Sequence, residues 1–190
     1  LHGQVYANAN VANYLPIYSG NIAGGNLTVS AGTITVGNIV AAGNLIGNIG
    51  TSSNRFNTIF ARATSAQYAD LAEKYIADAV YPAATVVVFG GEQEITTTTI
   101  HGDARVAGAI STQPAYLMNS LADGLPVALR GRIPVRVIGA VRKGDSLVTS
   151  TTPGCAVSVG TDLNWGQAVF AKSLENNDTA GPIIIEAVVV

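Results

Sequence analysis

Charge is scarce in this chain. Of its 190 residues, 10 are Lys or Arg and 12 are Asp or Glu, so charged residues make up 12%, against roughly 25% in ordinary soluble domains. Apolar residues stand at 48%, which leaves a lone copy little polar surface with which to cover itself. Burial of apolar faces between identical chains around a long axis is the simplest remedy. The formal net charge of −2 offers no basic footprint for phosphates, which excludes nucleic acid as a partner. No apolar run reaches the roughly 18 residues needed to span a bilayer, and the stretch from Ile183 to Val190 is strand length, so membrane insertion is not expected. Cys155 is the only cysteine; an intrachain disulfide framework is excluded, and a small buried hydrophobe outweighs a nucleophile at that position.

Glycine, by contrast, is abundant, with 21 copies, and its placement organises the first third of the chain. Gly20-Asn21, Gly25-Asn26, Gly37-Asn38, Gly43-Asn44 and Gly47-Asn48 form an irregular repeat. Between these turn pairs lie very short alternating segments, Leu27-Thr28-Val29 and Ile34-Thr35-Val36, continued by Ile39, Leu45 and Ile49. Period two means strand and Gly-Asn means tight turn. A ribbon this thin cannot bury its apolar stripe against itself, whereas three copies wound together can. A flexible Gly-rich linker is the competing reading, but linkers lack the regular Leu, Ile and Val found here. Upstream, Tyr6, Tyr14, Pro16 and Tyr18 read only as irregular β.

Residues 1–63 are therefore expected to form a repetitive β-shaft and a joint, the joint being the polar turn Thr51-Ser52-Ser53-Asn54 followed by a strand through Phe56, Ile59 and Phe60. Residues 64–79 are expected to form a short helix acting as a connector. Thr64-Ser65-Ala66-Gln67 supplies a capping box, and Tyr68, Leu71, Ala72, Tyr75 and Ile76 recur at helical spacing. Residues 80–190 read as wholly β: Thr85 to Phe89, Glu94 to Ile100, Arg105 to Ile110, Pro126 to Arg130, Ile133 to Val141, Asp145 to Ser150, Gln167 to Ala171 and Ile183 to Val190. Short strands separated by Gly, Pro and Asp turns predict a compact all-β barrel or sandwich. Pro134 predicts an edge or a bulge, and the apolar C-terminal strand has to be paired. The fold class is thus mainly β, an intertwined trimeric shaft, one short helix and a compact C-terminal domain.

The stretch Ser52-Ser53-Asn54-Arg55-Phe56-Asn57-Thr58-Ile59-Phe60-Ala61 resembles the joint that follows Gly-Asn repeats in tail-fibre proteins. From Ala66-Gln67-Tyr68-Ala69-Asp70-Leu71 through Val106-Ala107-Gly108-Ala109-Ile110-Ser111, Arg130-Gly131-Arg132-Ile133-Pro134 and Lys143-Gly144-Asp145 to Ala171-Lys172-Ser173-Leu174, the chain resembles C-terminal domains of phage fibres. These are similar to the autoproteolytic intramolecular-chaperone domain of pre-neck appendage proteins. The resemblance spans roughly residues 50 to 190 and implies a homotrimeric structural protein of the virion, in a tail, neck or baseplate fibre. It would aid trimer assembly and attach to a host-surface polysaccharide or dock to other virion proteins.

The same resemblance makes self-cleavage the alternative. It would need a carboxyl group near a nucleophile or a strained peptide, and Asp70, Glu73, Asp103 and Ser111 are the candidates. None stands in a motif that fixes a role. On a helix, Asp70 and Glu73 would share a face, but Lys74 beside them makes an ordinary solvated charged face the weightier reading. Shaft and C-terminal domain also run in one continuous chain, which weighs against an active release domain. His101-Gly102-Asp103 suggests half a metal site, yet His2 and His101 are the only histidines and a divalent ion wants three or more ligands. Thr96 to Thr99 is as natural to a half-exposed strand as to a glycan surface, and Trp165 more often anchors packing than a sugar. No catalytic, cofactor-binding or metal residue is assigned, no cofactor is expected, and a depolymerase with a paired-acid groove is the weakest reading.

Overall fold

The computed structural model describes residues 32–43, 46–61, 69–161 and 163–190. The tyrosines and Pro16 of the N-terminal stretch, the first two Gly-Asn pairs, Leu27-Thr28-Val29, Asn44, Leu45, Arg62, Ala63, the capping box at 64–67, Tyr68 and Asp162 lie outside the described residues. The chain divides into two units, Leu1–Phe60 and Ala61–Val190.

Among the described residues of the first unit there is no strand. One isolated bridge pairs Gly43 with Ile46. Ile34-Thr35-Val36 has the alternation of a strand but no ladder to join within one copy, and segments so short are not stable unpaired. The strand expected through Phe56, Ile59 and Phe60 is likewise not formed. The turn before it is. Thr51 N–H donates to Asn54 O at 2.8 Å, Asn54 N–H donates to Thr51 Oγ1 at 2.9 Å, and the Arg55 guanidinium donates to Ser52 O at 2.9 Å.

The second unit is built from ten strands: β1 (Asp70–Tyr75), β2 (Val86–Phe89), β3 (Ile95–Thr96), β4 (Val106–Ile110), β5 (Tyr116–Met118), β6 (Leu125–Val137), β7 (Ser146–Thr149), β8 (Ala156–Ser158), β9 (Ala171–Ser173) and β10 (Ile183–Val189), with a 3-10 segment at Leu163–Ala168. The helix expected over 64–79 is corrected by β1. Its residues fit a helical period, but they also alternate, with Asp70 and Ala72 buried. Strand β6 offers an antiparallel partner from Asp70 opposite Gly131 to Tyr75 opposite Leu125, and β5 pairs on the other side in parallel. A three-turn helix is marginal by itself, and pairing on both edges overrides it.

Strand β6, 13 residues long, is the spine. It joins two stretches expected as separate strands, because Gly131 bends the chain without ending the ladder. Gly131 has φ 106 and faces Asp70 of β1 and Val189 of β10 at once. The N-terminal half of β6 sits between β1 and β4 in a sheet ordered β5-β1-β6-β4-β2-β3. Its C-terminal half pairs with β10, and the path β10-β9-β7-β8 returns to β6 at Val137 opposite Ala156, closing a barrel-like ring. Closure removes edges that would otherwise invite aggregation.

Pro134 lies opposite Glu186 within the β6–β10 ladder, so β6 is not an edge strand. Two residues on, Arg136 N–H donates to Ala84 O. By strand alternation the missing donor of Pro134 therefore points the same way, off the β10 ladder, where no strand needs it. Two further expectations shorten: the strand over Glu94 to Ile100 keeps only β3, and residues 167 and 168 belong to the 3-10 segment. The C-terminal strand is locked on both sides, by β6 and β9.

Two apolar clusters fill the unit. One lines the ring with Ile133, Val135, Val137, Leu147, Phe170, Ile185 and neighbours. The other, under the open sheet, gathers Val87, Ile95, Ile110 and Val127. Because the β1–β6 register shifts at Leu129, which is passed over between Ala128 and Arg130, Ala128 and Ile133 both reach the first cluster although they differ in parity. Each fully buried side chain of this size contributes about 1.5–3 kcal/mol.

Candidate functional site

In the first unit the notable feature is what is left uncovered. Ile39 is 82% exposed, Val40 85% and Phe60 95%, and Ile34, Val36, Ile46, Ile49, Phe56 and Ile59 are also exposed. Nine large apolar side chains among the described residues of this unit are thus left open to solvent. Around the closed turn lies an open groove of about 630 Å³, lined by Asn48, Ile49, Gly50, Thr51, Ser52, Arg55, Phe56 and Ile59. The turn that shapes it is held by the three hydrogen bonds described above, and Gly50 takes φ 83 where its backbone approaches Asn54 O.

In the second unit the sequence candidates separate. Asp70 and Glu73, expected on one helical face, lie on opposite faces of β1, as residues three apart on a strand must. Asp70 is buried, and its Oδ2 accepts the hydroxyl proton of buried Ser111 at 2.6 Å. The carbonyl of Asp70 accepts from Ala115 N–H, and Ser111 N–H donates to Pro126 O. This pins the start of β1 to the end of β4. Glu73 instead accepts from the Tyr75 hydroxyl at 2.8 Å; burial first, then this carboxylate, pushes the Tyr75 hydroxyl up to about 12. Lys74 donates to Ala122 O at 3.1 Å. The stretch is thus engaged with its surroundings instead of forming a solvated charged face.

Asp103 is saturated. Its carboxylate accepts from Thr98 Oγ1 at 2.9 Å, from Arg105 N and Nε at 3.0 Å each and from Arg105 Nη2 at 2.7 Å. The Arg105 hydrogen bonds are the main reason that Asp103 is held down to about 2. A bidentate guanidinium leaves the carboxylate no free edge for a metal, and among the described residues no three ligating side chains converge. Asp103 N–H also donates to Thr149 Oγ1 at 2.7 Å, and Thr149 Oγ1 donates to Ile100 O at 2.9 Å. The role of the group is to fix the 98–105 turn on β7. Thr98 is part of that lock, so Thr96 to Thr99 is not a row of free hydroxyls.

That turn carries the aromatic pair. His101 and Trp165 meet edge to face with ring centroids 4.7 Å apart, and Gly102 lies directly against the indole. Trp165 is half-buried and anchors the 3-10 segment. Cys155 is buried, which raises its thiol above the ordinary value. Sequence reasoning named Asp70, Ser111 and Asp103 one by one but not the pairing of Asp70 with Ser111 or of Asp103 with Arg105. Only Arg105, two residues from Asp103, gave a local signal.

No family model matches the chain, and no curated protein matches it. Among solved structures it is similar to the N base of the head fibre protein gp8.5 of bacteriophage phi29, with 16% identity and a TM-score of 0.38, over 63% of this chain and 93% of that one.

Proposed function

We propose that this chain is a structural component of a bacteriophage fibre, distal and homotrimeric, in which the first unit is shared among three copies and the second folds as a terminal domain. It belongs to the virion, docks to other virion proteins or a host-surface polysaccharide, and carries no enzymatic duty. The observation that supports this most is the apolar exposure of the first unit. Nine large side chains of its described residues, from Ile34 to Phe60, are open in a single copy. Together they offer on the order of 1,000 Å² per copy, at or above the roughly 800 Å² per partner of a stable interface. The second unit has its own closed core and can fold as a terminal domain while the first waits for partners. Three terminal domains held together would offset weak individual binding through avidity.

The test is the native mass of the full chain by light scattering. A mass three times 19.4 kDa is the expected result; a monomer at micromolar concentration overturns the shared core. A second reading, a self-cleaving assembly chaperone, is favoured by the buried Asp70–Ser111 pair, where a carboxylate stands ready to accept a hydroxyl proton. Denaturing mass spectrometry of the full chain separates the two. One discrete cut that vanishes in Asp70→Asn would move self-processing to first place.

A further inference from the structure

We infer that residues 48–60 form the register clamp of the trimer, the groove at the closed turn of one copy receiving Phe60 of the next. The inference rests on the homotrimer reading and adds what holds the copies at one level. Short strands paired along a repeat are prone to slip, and a slip of one residue turns every side chain to the wrong face. Between Tyr18 and Phe56 the sequence has no aromatic residue, so the Gly-Asn segment itself offers little to distinguish one register from another. A large side chain entering a preformed hole does.

Both halves of such a contact are present, and they are different surfaces. Phe60 is 95% exposed and lines no part of its own copy's groove, which is walled by Ile49, Phe56 and Ile59 and bordered by Arg55. A cyclic trimer suits this arrangement, because contacts away from its axis are head-to-tail and join two unlike patches of the same chain. The groove is preorganised: its turn is closed in one copy by the Thr51–Asn54 pair of hydrogen bonds. Arg55 is tethered to Ser52 O at 2.9 Å, which places a guanidinium at the groove where the face of an incoming ring can meet it. At about 630 Å³ the space admits a phenyl ring.

The experiment uses the full chain with Cys155→Ala and the paired substitutions Ile49→Cys and Phe60→Cys under mild oxidation. Bonds between copies are expected, giving covalent trimers on a denaturing gel. A bond closed within one chain, or none at all while the native mass stays threefold, overturns the clamp and leaves the trimer standing. A monomeric unsubstituted chain overturns the trimer reading and the clamp with it. In parallel, Phe60→Ala should raise the concentration of half-dissociation at least about tenfold, with Phe60→Leu in between. Emission from Trp165 checks that the second unit is still folded. With that emission unchanged, wild-type dissociation in Phe60→Ala would equally overturn the clamp.

Discussion

Ser111 donates its hydroxyl proton to Asp70 Oδ2 across 2.6 Å, and both side chains are buried although they lie 41 positions apart. The bond ties β1, at the outer part of the open sheet, to the end of β4. Ser111→Ala leaves a buried carboxylate oxygen without its donor, which costs about 1–3 kcal/mol. Combined with Asp70→Ala the two losses should fall short of their sum by about 1 kcal/mol, since the second change removes a partner already lost. Urea unfolding of the two single variants and the double checks this. Strict additivity would mean that the pair contributes nothing to the fold.

The Asp103–Arg105 lock predicts an acid-sensitive window. Asp103 is held down to about 2 in the folded chain against an ordinary 3.8, so as pH falls the unfolded chain takes up the proton first. The stabilisation is complete above about pH 5, declines as pH falls through 4 toward 2, and is gone below both values. Because the Arg105 side chain is 56% exposed, solvent screening limits the contribution to on the order of 1 kcal/mol. Arg105→Gln should lower stability at pH 6 and flatten its dependence between pH 5 and 2, read by thermal melts across that range. An unchanged slope would mean that Asp103 titrates alike in both states.

Gly131 is predicted to be irreplaceable, and the reason is local. A Cβ there would come closer than 3.0 Å to the carbonyl oxygen of Ala69, in a backbone that already holds φ at 106. Neither can yield, since Ala69 leads into β1 and Gly131 is the bend of β6. Gly131→Ala should cost about 3 kcal/mol or more. Gly144 is the control: its φ is 93 but nothing lies within 4 Å of an added Cβ, so Gly144→Ala should cost only about 1–2 kcal/mol. Equal losses in the two variants would show that backbone strain, not the close approach, decides both.

Gly131 also shows where the sequence could and could not be read. Strands β2, β7 and β10 were legible because an apolar run between turn residues can do little else. Strand β1 was not. Tyr68, Leu71, Ala72 and Tyr75 satisfy a helical period, and the strand that claims Leu71, Ala72 and Tyr75 begins at Leu125, fifty positions beyond Tyr75. The continuity of β6 was hidden for a similar reason: Arg130-Gly131-Arg132 reads as a turn, and only the pairing of Gly131 with both Asp70 and Val189 makes it a bend within one strand. Asp70, Ser111 and Asp103 were visible as residues able to do chemistry. Their engagement was not, because Ser111 and Thr149 arrive from distant strands. The first unit was legible as a pattern, but among its described residues Ile34-Thr35-Val36 joins no strand.

Trp165 provides a probe for the 98–105 turn, as it is the only tryptophan in the chain. The indole lies so close to Gly102 that an added Cβ would fall within 3.0 Å of the six-membered ring. The turn beneath cannot retreat, because Gly102 N–H donates to Thr149 O at 2.9 Å and Asp103 is locked by Arg105 and Thr98. The 3-10 segment is the weaker side; it is bent at Gly166, with φ 39 and ψ −115. In Gly102→Ala the ring should therefore move outward, carrying the segment away from His101. The expected signs are a red-shifted emission maximum, easier quenching by acrylamide, and a loss of about 1–2 kcal/mol from the strained φ of 66. His101→Ala removes only the edge-to-face contact and should give a smaller shift. If Gly102→Ala left both emission and quenching as in the wild type, Trp165 would not be resting on this turn in solution.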